Sequence, residues 1–279
     1  MTALTYVLGA VSLKVLRLKA GRISYWALTL ALSAALFAAG VPILAIAFFS
    51  VVLLVGTFSE LEEMGFRMEA SAFFTLVINS LLGSGLFAFW VYSTGARWQQ
   101  QLVGTVENLL KPLASLNPAL QINYQDIALQ LPSIVLILWM GALYLAILLE
   151  GRLAGSDSLT PVGYPSMRTQ LSEFRLPDPA IWLFTLALLG AFGNLPWKPV
   201  EVVAVNVLNI CFLLFFFQGI AVVAKFFETI RMGYFWQFLF MVLIVVHLFL
   251  FVSLLGLVDY WFDFRSRLTK RAQEVNRET

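Results

Sequence analysis

Five hydrogen-bonding or charged side chains interrupt one apolar stretch of the chain: Asn206, Asn209, Gln218, Lys225 and Glu228. On a helix turning about 100° per residue they fall within roughly half the circumference. Facing the interior of a bundle, they could line a pocket for a polar solute. The same groups could instead serve as interhelical hydrogen bonds, worth about 0.6–2 kcal/mol each in membrane systems. Lys225 and Glu228, three positions apart, could be an ion pair at a helix end. Asn79 is a further amide in an apolar run and is open to both readings. His247 is the single histidine and has apolar neighbours on both sides. Histidine chemistry suits a proton relay, yet the next acid along that stretch is Asp259. A relay partner would have to come from another helix, so a neutral, hydrogen-bonded histidine is the expectation.

Other chemistry has little to work with. Cys211 is the single cysteine, so no internal disulfide forms. A structural zinc site takes four ligands, mostly Cys and His, and the chain has one of each. There is no phosphate-cradling P-loop, no HExxH and no GxSxG. The expectation is a protein that is not an enzyme and uses no cofactor. A net charge of +2 is too small to point to nucleic acid.

The elements that carry these residues are written in oil-compatible composition. Apolar residues make up 60% of the chain and charged residues 12%, with a mean hydropathy of +0.86. A soluble domain is about half apolar and a quarter charged. The expected fold is an all-α polytopic transmembrane bundle forming one integral membrane domain over residues 1–279. A spanning helix needs about 20 apolar residues to cross some 30 Å of hydrocarbon. Residues 23–58 carry no charge, but one helix through all of them would be about 54 Å long. Gly40-Val41-Pro42 divides that run. The predicted spans are about 23–39, 42–58, 70–95, 131–149, 180–195, 202–223 and 234–258, seven crossings in all.

Amphipathic segments accompany the spans. Residues 1–13 are apolar but short, and Lys14, Arg17, Lys19 and Arg22 follow them, which predicts an interfacial helix. A short acidic connection runs from Glu60 to Glu69. Trp98, Leu102, Val106, Leu109 and Leu113 recur at helical spacing and predict a second surface helix. Near the end of the chain, Asp259, Asp263, Arg267 and Arg271 stand four apart, acid before base, with Arg265 beside them. This row reads as an interfacial anchor or as a docking helix. Arg175-Leu176-Pro177-Asp178-Pro179 holds the chain extended ahead of the fifth span, either as a structural entry or as a partner site. Ala27, Ala31, Ala35 and Ala39 place four methyls along one helix face, where another backbone can approach closely.

Several of these stretches resemble the YybS-like family of bacterial membrane proteins. They are Glu173-Phe174-Arg175-Leu176-Pro177, Asn206 through Gln218-Gly219-Ile220, Leu255-Gly256-Leu257-Val258-Asp259, and Phe264-Arg265-Ser266-Arg267-Leu268. Leu131-Pro132-Ser133 is similar too. The resemblance implies a multi-pass protein of the bacterial cytoplasmic (inner) membrane and brings no catalytic residues. A more distant resemblance is to the substrate-binding membrane components of energy-coupling-factor vitamin transporters. Those components pack small residues of their first helix against a coupling subunit, a role this resemblance implies for Ala27, Ala31, Ala35 and Ala39.

Two functions follow as expectations. One is a small-solute transporter, or its substrate-binding membrane component, with a polar site on the third, sixth and seventh spans and a coupling subunit as partner. The other is a non-catalytic membrane scaffold or assembly subunit that docks membrane protein partners. In both, the lipid bilayer is the primary partner.

Overall fold

A computed structural model of the protein describes residues 3–116, 122–153, 174–193, 196–230 and 232–268. Among them the regular elements are helices: α1 (Ala3–Ala38), α2 (Pro42–Glu63), α3 (Met68–Thr94), α4 (Trp98–Leu116), α5 (Tyr124–Leu129), α6 (Leu131–Leu153), α7 (Pro179–Phe192), α8 (Lys198–Thr229), α9 (Tyr234–His247) and α10 (Phe249–Phe262). The all-α reading holds. They fall into two compact units, Met1–Thr160 and Pro161–Thr279.

The burial pattern is that of a chain dissolved in lipid. On α3 the buried residues are Ser71, Thr75 and Asn79, one turn apart. Phe73, Phe74, Val77, Ile78, Leu81 and Leu82 point outward. On α10, Val252, Ser253, Gly256 and Asp259 face inward while Leu250, Phe251, Leu254 and Trp261 face out. A water-soluble helix buries the opposite face. Hydrocarbon gives apolar side chains no reason to hide, so small and polar residues make the contacts.

Among the described residues, five helical stretches are long and apolar enough to cross a membrane by length and composition: Thr5–Ala38, which is divided at Gly21, Pro42–Glu63, Met68–Pro112, Tyr124–Leu149 and Lys198–Thr229. Five of the seven expected spans lie on these. The expected span at 180–195 falls on α7, which has 14 residues. The expected span at 234–258 is divided into α9 and α10, of 14 residues each, where Leu248 leaves helical geometry (φ −117°, ψ 25°). Each of these helices is about 21 Å long, short of the hydrocarbon thickness.

In the first unit, α1 is not one rod. Gly21 sits at φ 79°, ψ 173°, with helix on either side, a conformation confined to glycine. A rod of 36 residues, about 54 Å long, would carry Tyr6 far past the end of α2. Instead the Tyr6 hydroxyl meets Ser50 Oγ at 2.7 Å and Lys14 reaches Ser59 and Glu62. Contacts that climb together along both helices mean that residues 3–20 run parallel to α2. The second arm, residues 22–38, turns at Gly40 and runs antiparallel to α2, with Arg22 at Glu60 and Tyr25 at Val52. The chain therefore doubles back at Gly21. The first arm is packed into the bundle, with Ala10, Val11 and Leu13 buried. The Trp139 indole of α6 donates to the Tyr6 hydroxyl at 3.0 Å. The interfacial helix expected over residues 1–13 is replaced by this packed arm. Its Lys14 and Arg17 find carboxylates within the protein, while Lys19 is exposed.

In the second unit, α8 is the central helix, with α7 and α10 packed on it. Phe184 and Ala187 of α7 pack with Leu208, Cys211 and Phe215 of α8 and with Leu176 ahead of α7. The α8–α10 crossing is close. A Cβ on Gly256 would run into the Phe215 carbonyl, and one on Gly219 into the Val252 carbonyl.

Candidate functional site

Two polar clusters stand out, one in each unit. In the second unit the glycine crossing brings Gln218 of α8 against α10. Gln218 is fully buried. Its amide nitrogen donates to the Gly256 carbonyl at 3.0 Å and to Asp259 Oδ2 at 3.3 Å. Its amide oxygen accepts from the backbone N–H of Leu176 at 3.1 Å. Asp259, 1% exposed, is held further by the Phe264 N–H at 2.8 Å and by Arg265, whose Nε and Nη2 both reach Oδ2 at 3.1 Å. Arg265 Nη1 donates in turn to the Phe174 carbonyl at 2.7 Å. The result is a clasp that binds the extended segment 174–178 to the middle of α8 and the C-terminal end of α10. Each buried polar group in it has a partner, as a low-dielectric interior demands.

The row of charges expected near the end of the chain does not form. The helix stops at Phe262, and Asp263 takes the left-handed conformation (φ 46°, ψ 55°). That turn swings Arg265 back onto Asp259. Asp263 is left 4.0 Å from Arg175, in an exposed pair. Arg267 is exposed, and Arg271 lies outside the described residues.

The other predicted residues scatter. Asn206 Nδ2 donates to the Val202 carbonyl of its own helix at 2.8 Å. Asn206 and Asn209 are both partly buried. Lys225 and Glu228 pair at 2.9 Å, with Glu228 largely exposed. His247 is exposed and ends α9. Asn79 belongs to the first unit, where its amide donates to Thr57 Oγ1 and to the Thr75 carbonyl, both at 2.9 Å. It joins α2 to α3. Ala27, Ala31, Ala35 and Ala39 are all exposed, on the face of the second arm opposite Tyr25 and Thr29.

The second cluster was not foreseen. Lys14 and Arg17 of the first arm are 1% and 3% exposed. Lys14 pairs with Glu62, donates to Ser59 Oγ at 3.2 Å and lies 4.8 Å from the Phe58 ring centre. Arg17 pairs with Glu60 at 3.2 Å and Glu63 at 2.8 Å. Arg22 and the Trp26 indole also bind Glu60, at 2.9 and 3.0 Å. The Arg17 Nε is buried without a hydrogen-bond partner. The signal in the sequence was stoichiometric. Four bases, Lys14, Arg17, Lys19 and Arg22, precede the uncharged run and three acids, Glu60, Glu62 and Glu63, follow it, so a hairpin brings them together.

Two concavities among the described residues are notable. One lies beside Asn123, Tyr124 and Gln125, and the other is an apolar groove between α7 and α8 lined by Leu183, Leu186, Gly190, Val203 and Ala204. Both are open to the surface. Neither is lined by the polar residues singled out above.

No curated protein and no solved structure matches the chain. Over residues 2–260 it matches the family described as predicted membrane protein (DUF2232). Lipid-facing apolar helices, polar interior seams and this match over nearly the whole chain agree, and the chain belongs to that family of membrane proteins.

Proposed function

We propose that the protein is a non-catalytic scaffold or assembly subunit, multi-pass in the bacterial cytoplasmic membrane, that docks a membrane protein partner. The observation that carries this reading is the clasp of Gln218, Asp259 and Arg265. The residue best placed to recognise a polar solute has its amide donor and acceptor engaged inside the protein. Asn79 is likewise consumed in joining two helices. A polar interior spent on its own helices supports a structural role over a transport pathway. The resemblance to YybS-like proteins supports the bacterial inner-membrane setting. The exposed alanine face of the second arm supports the docking element, because small residues let a partner helix come close.

Affinity-tagged full-length protein, solubilised gently and examined by native mass spectrometry, tests this. A protein subunit should be retained, and Ala31→Leu with Ala35→Leu should release it without loss of folded protein. Retention of a small polar solute instead, abolished by Gln218→Ala, would replace the scaffold reading with the transporter reading.

A further inference from the structure

The first arm of α1 is attached in an unusual way. One glycine, in a conformation other residues avoid, is its whole connection to the second arm. Carboxylates that pair with Lys14 and Arg17 sit on the last turns of α2, at Glu60, Glu62 and Glu63. The docked state is not fully satisfied, because Arg17 Nε is buried without an acceptor. The outer side of the arm carries Leu8, Ser12 and Lys19, all exposed. Lys14, Arg17 and Lys19 make this arm a basic helix of the kind that binds anionic lipid surfaces when free. The same cations thus have two anionic partners available, the α2 carboxylates and lipid phosphates.

We propose that residues 3–20 form a latch, hinged at Gly21, that is held on the bundle by Glu60, Glu62 and Glu63 and is drawn off it by an anionic membrane surface. Docked, the arm fills the seam between α2 and α6, with Tyr6 bridging Ser50 and Trp139. Released, it lies in the headgroup plane and opens that seam. This inference does not rest on the scaffold reading, since it concerns one arm of one unit.

Spin labels at Leu8→Cys and Ile46→Cys, in a Cys211→Ala background, report the position of the arm by pulsed electron-electron distance measurement. Both label sites are exposed. Leu8 lies 13 residues before Gly21, a lever of about 20 Å, so release lengthens the distance by an amount of that order. In phosphatidylcholine vesicles a single short distance is expected. Vesicles containing phosphatidylglycerol should add a longer population that grows with the anionic fraction. Replacing Glu60, Glu62 and Glu63 together by Gln should produce the long population in phosphatidylcholine alone. The same short distance in both vesicle types overturns the latch, and this arm needs no charge variant to fold. A triple variant that folds and keeps only the short distance in phosphatidylcholine overturns the role of the carboxylates.

Discussion

Truncating Arg265 should cost more stability than removing the carboxylate it serves. Asp259 is 1% exposed and takes one hydrogen bond and a second ion-pair contact from Arg265. In Arg265→Ala the carboxylate stays buried, facing only the Gln218 amide and the Phe264 N–H. Breaking a buried pair from one side costs about 3–5 kcal/mol. In Asp259→Ala the geometry is kinder. Arg265 keeps the Phe174 carbonyl and is 12% exposed, so its charge can turn outward. Gln218 keeps the Gly256 carbonyl. That loss should be about 1–3 kcal/mol. The double variant leaves no buried charge and should lie well below the sum of the two, with a coupling of about 2 kcal/mol or more. Unfolding free energies from SDS titration in mixed micelles, followed by tryptophan fluorescence, measure all three. Additivity within about 0.5 kcal/mol, or Asp259→Ala costing more than Arg265→Ala, would refute the argument that the arginine neutralises a trapped charge.

Two further outcomes follow from the helix contacts. Gly256→Ala puts a methyl into the Phe215 carbonyl and should cost about 1–3 kcal/mol through overpacking, seen as a lower unfolding temperature in detergent; Gly85→Ala, with open space at its Cβ, is the matched control and should leave that temperature unchanged. Asn79→Leu removes the bond to Thr57 and should cost about 0.6–2 kcal/mol by SDS titration, so a much larger loss would show that Asn79 does more than join α2 to α3.

The class of the molecule was legible from composition because lipid as solvent leaves its mark on every helix. For the same reason, five of the expected spans fall on helices long and apolar enough to cross a membrane. Where reading failed, the cause was contact rather than composition. Nothing in the apolar run from Tyr234 to Val258 announces the break at Leu248, for it holds neither Gly nor Pro before Gly256. Gly21 was visible as a glycine, but a reversal there becomes evident only when Tyr6 is found beside Ser50. The polar residues of α8 were rightly picked out as unusual. Their spacing could not say whether they faced an empty space or one another, and Gln218 faces Gly256, Asp259 and Leu176. Asp259 and Arg265 were visible as charges, while the left-handed turn at Asp263 that joins them was not.

The doubled-back α1 also bears on how sidedness would be mapped. With the arm docked, a reporter fused ahead of α1 would lie toward the end of α2 where Gly40 turns the chain, because the first arm climbs α2 in the reverse sense to the second. Anyone who drew a single straight rod from Ala3 to Ala38 would place that reporter beyond the opposite end of α2.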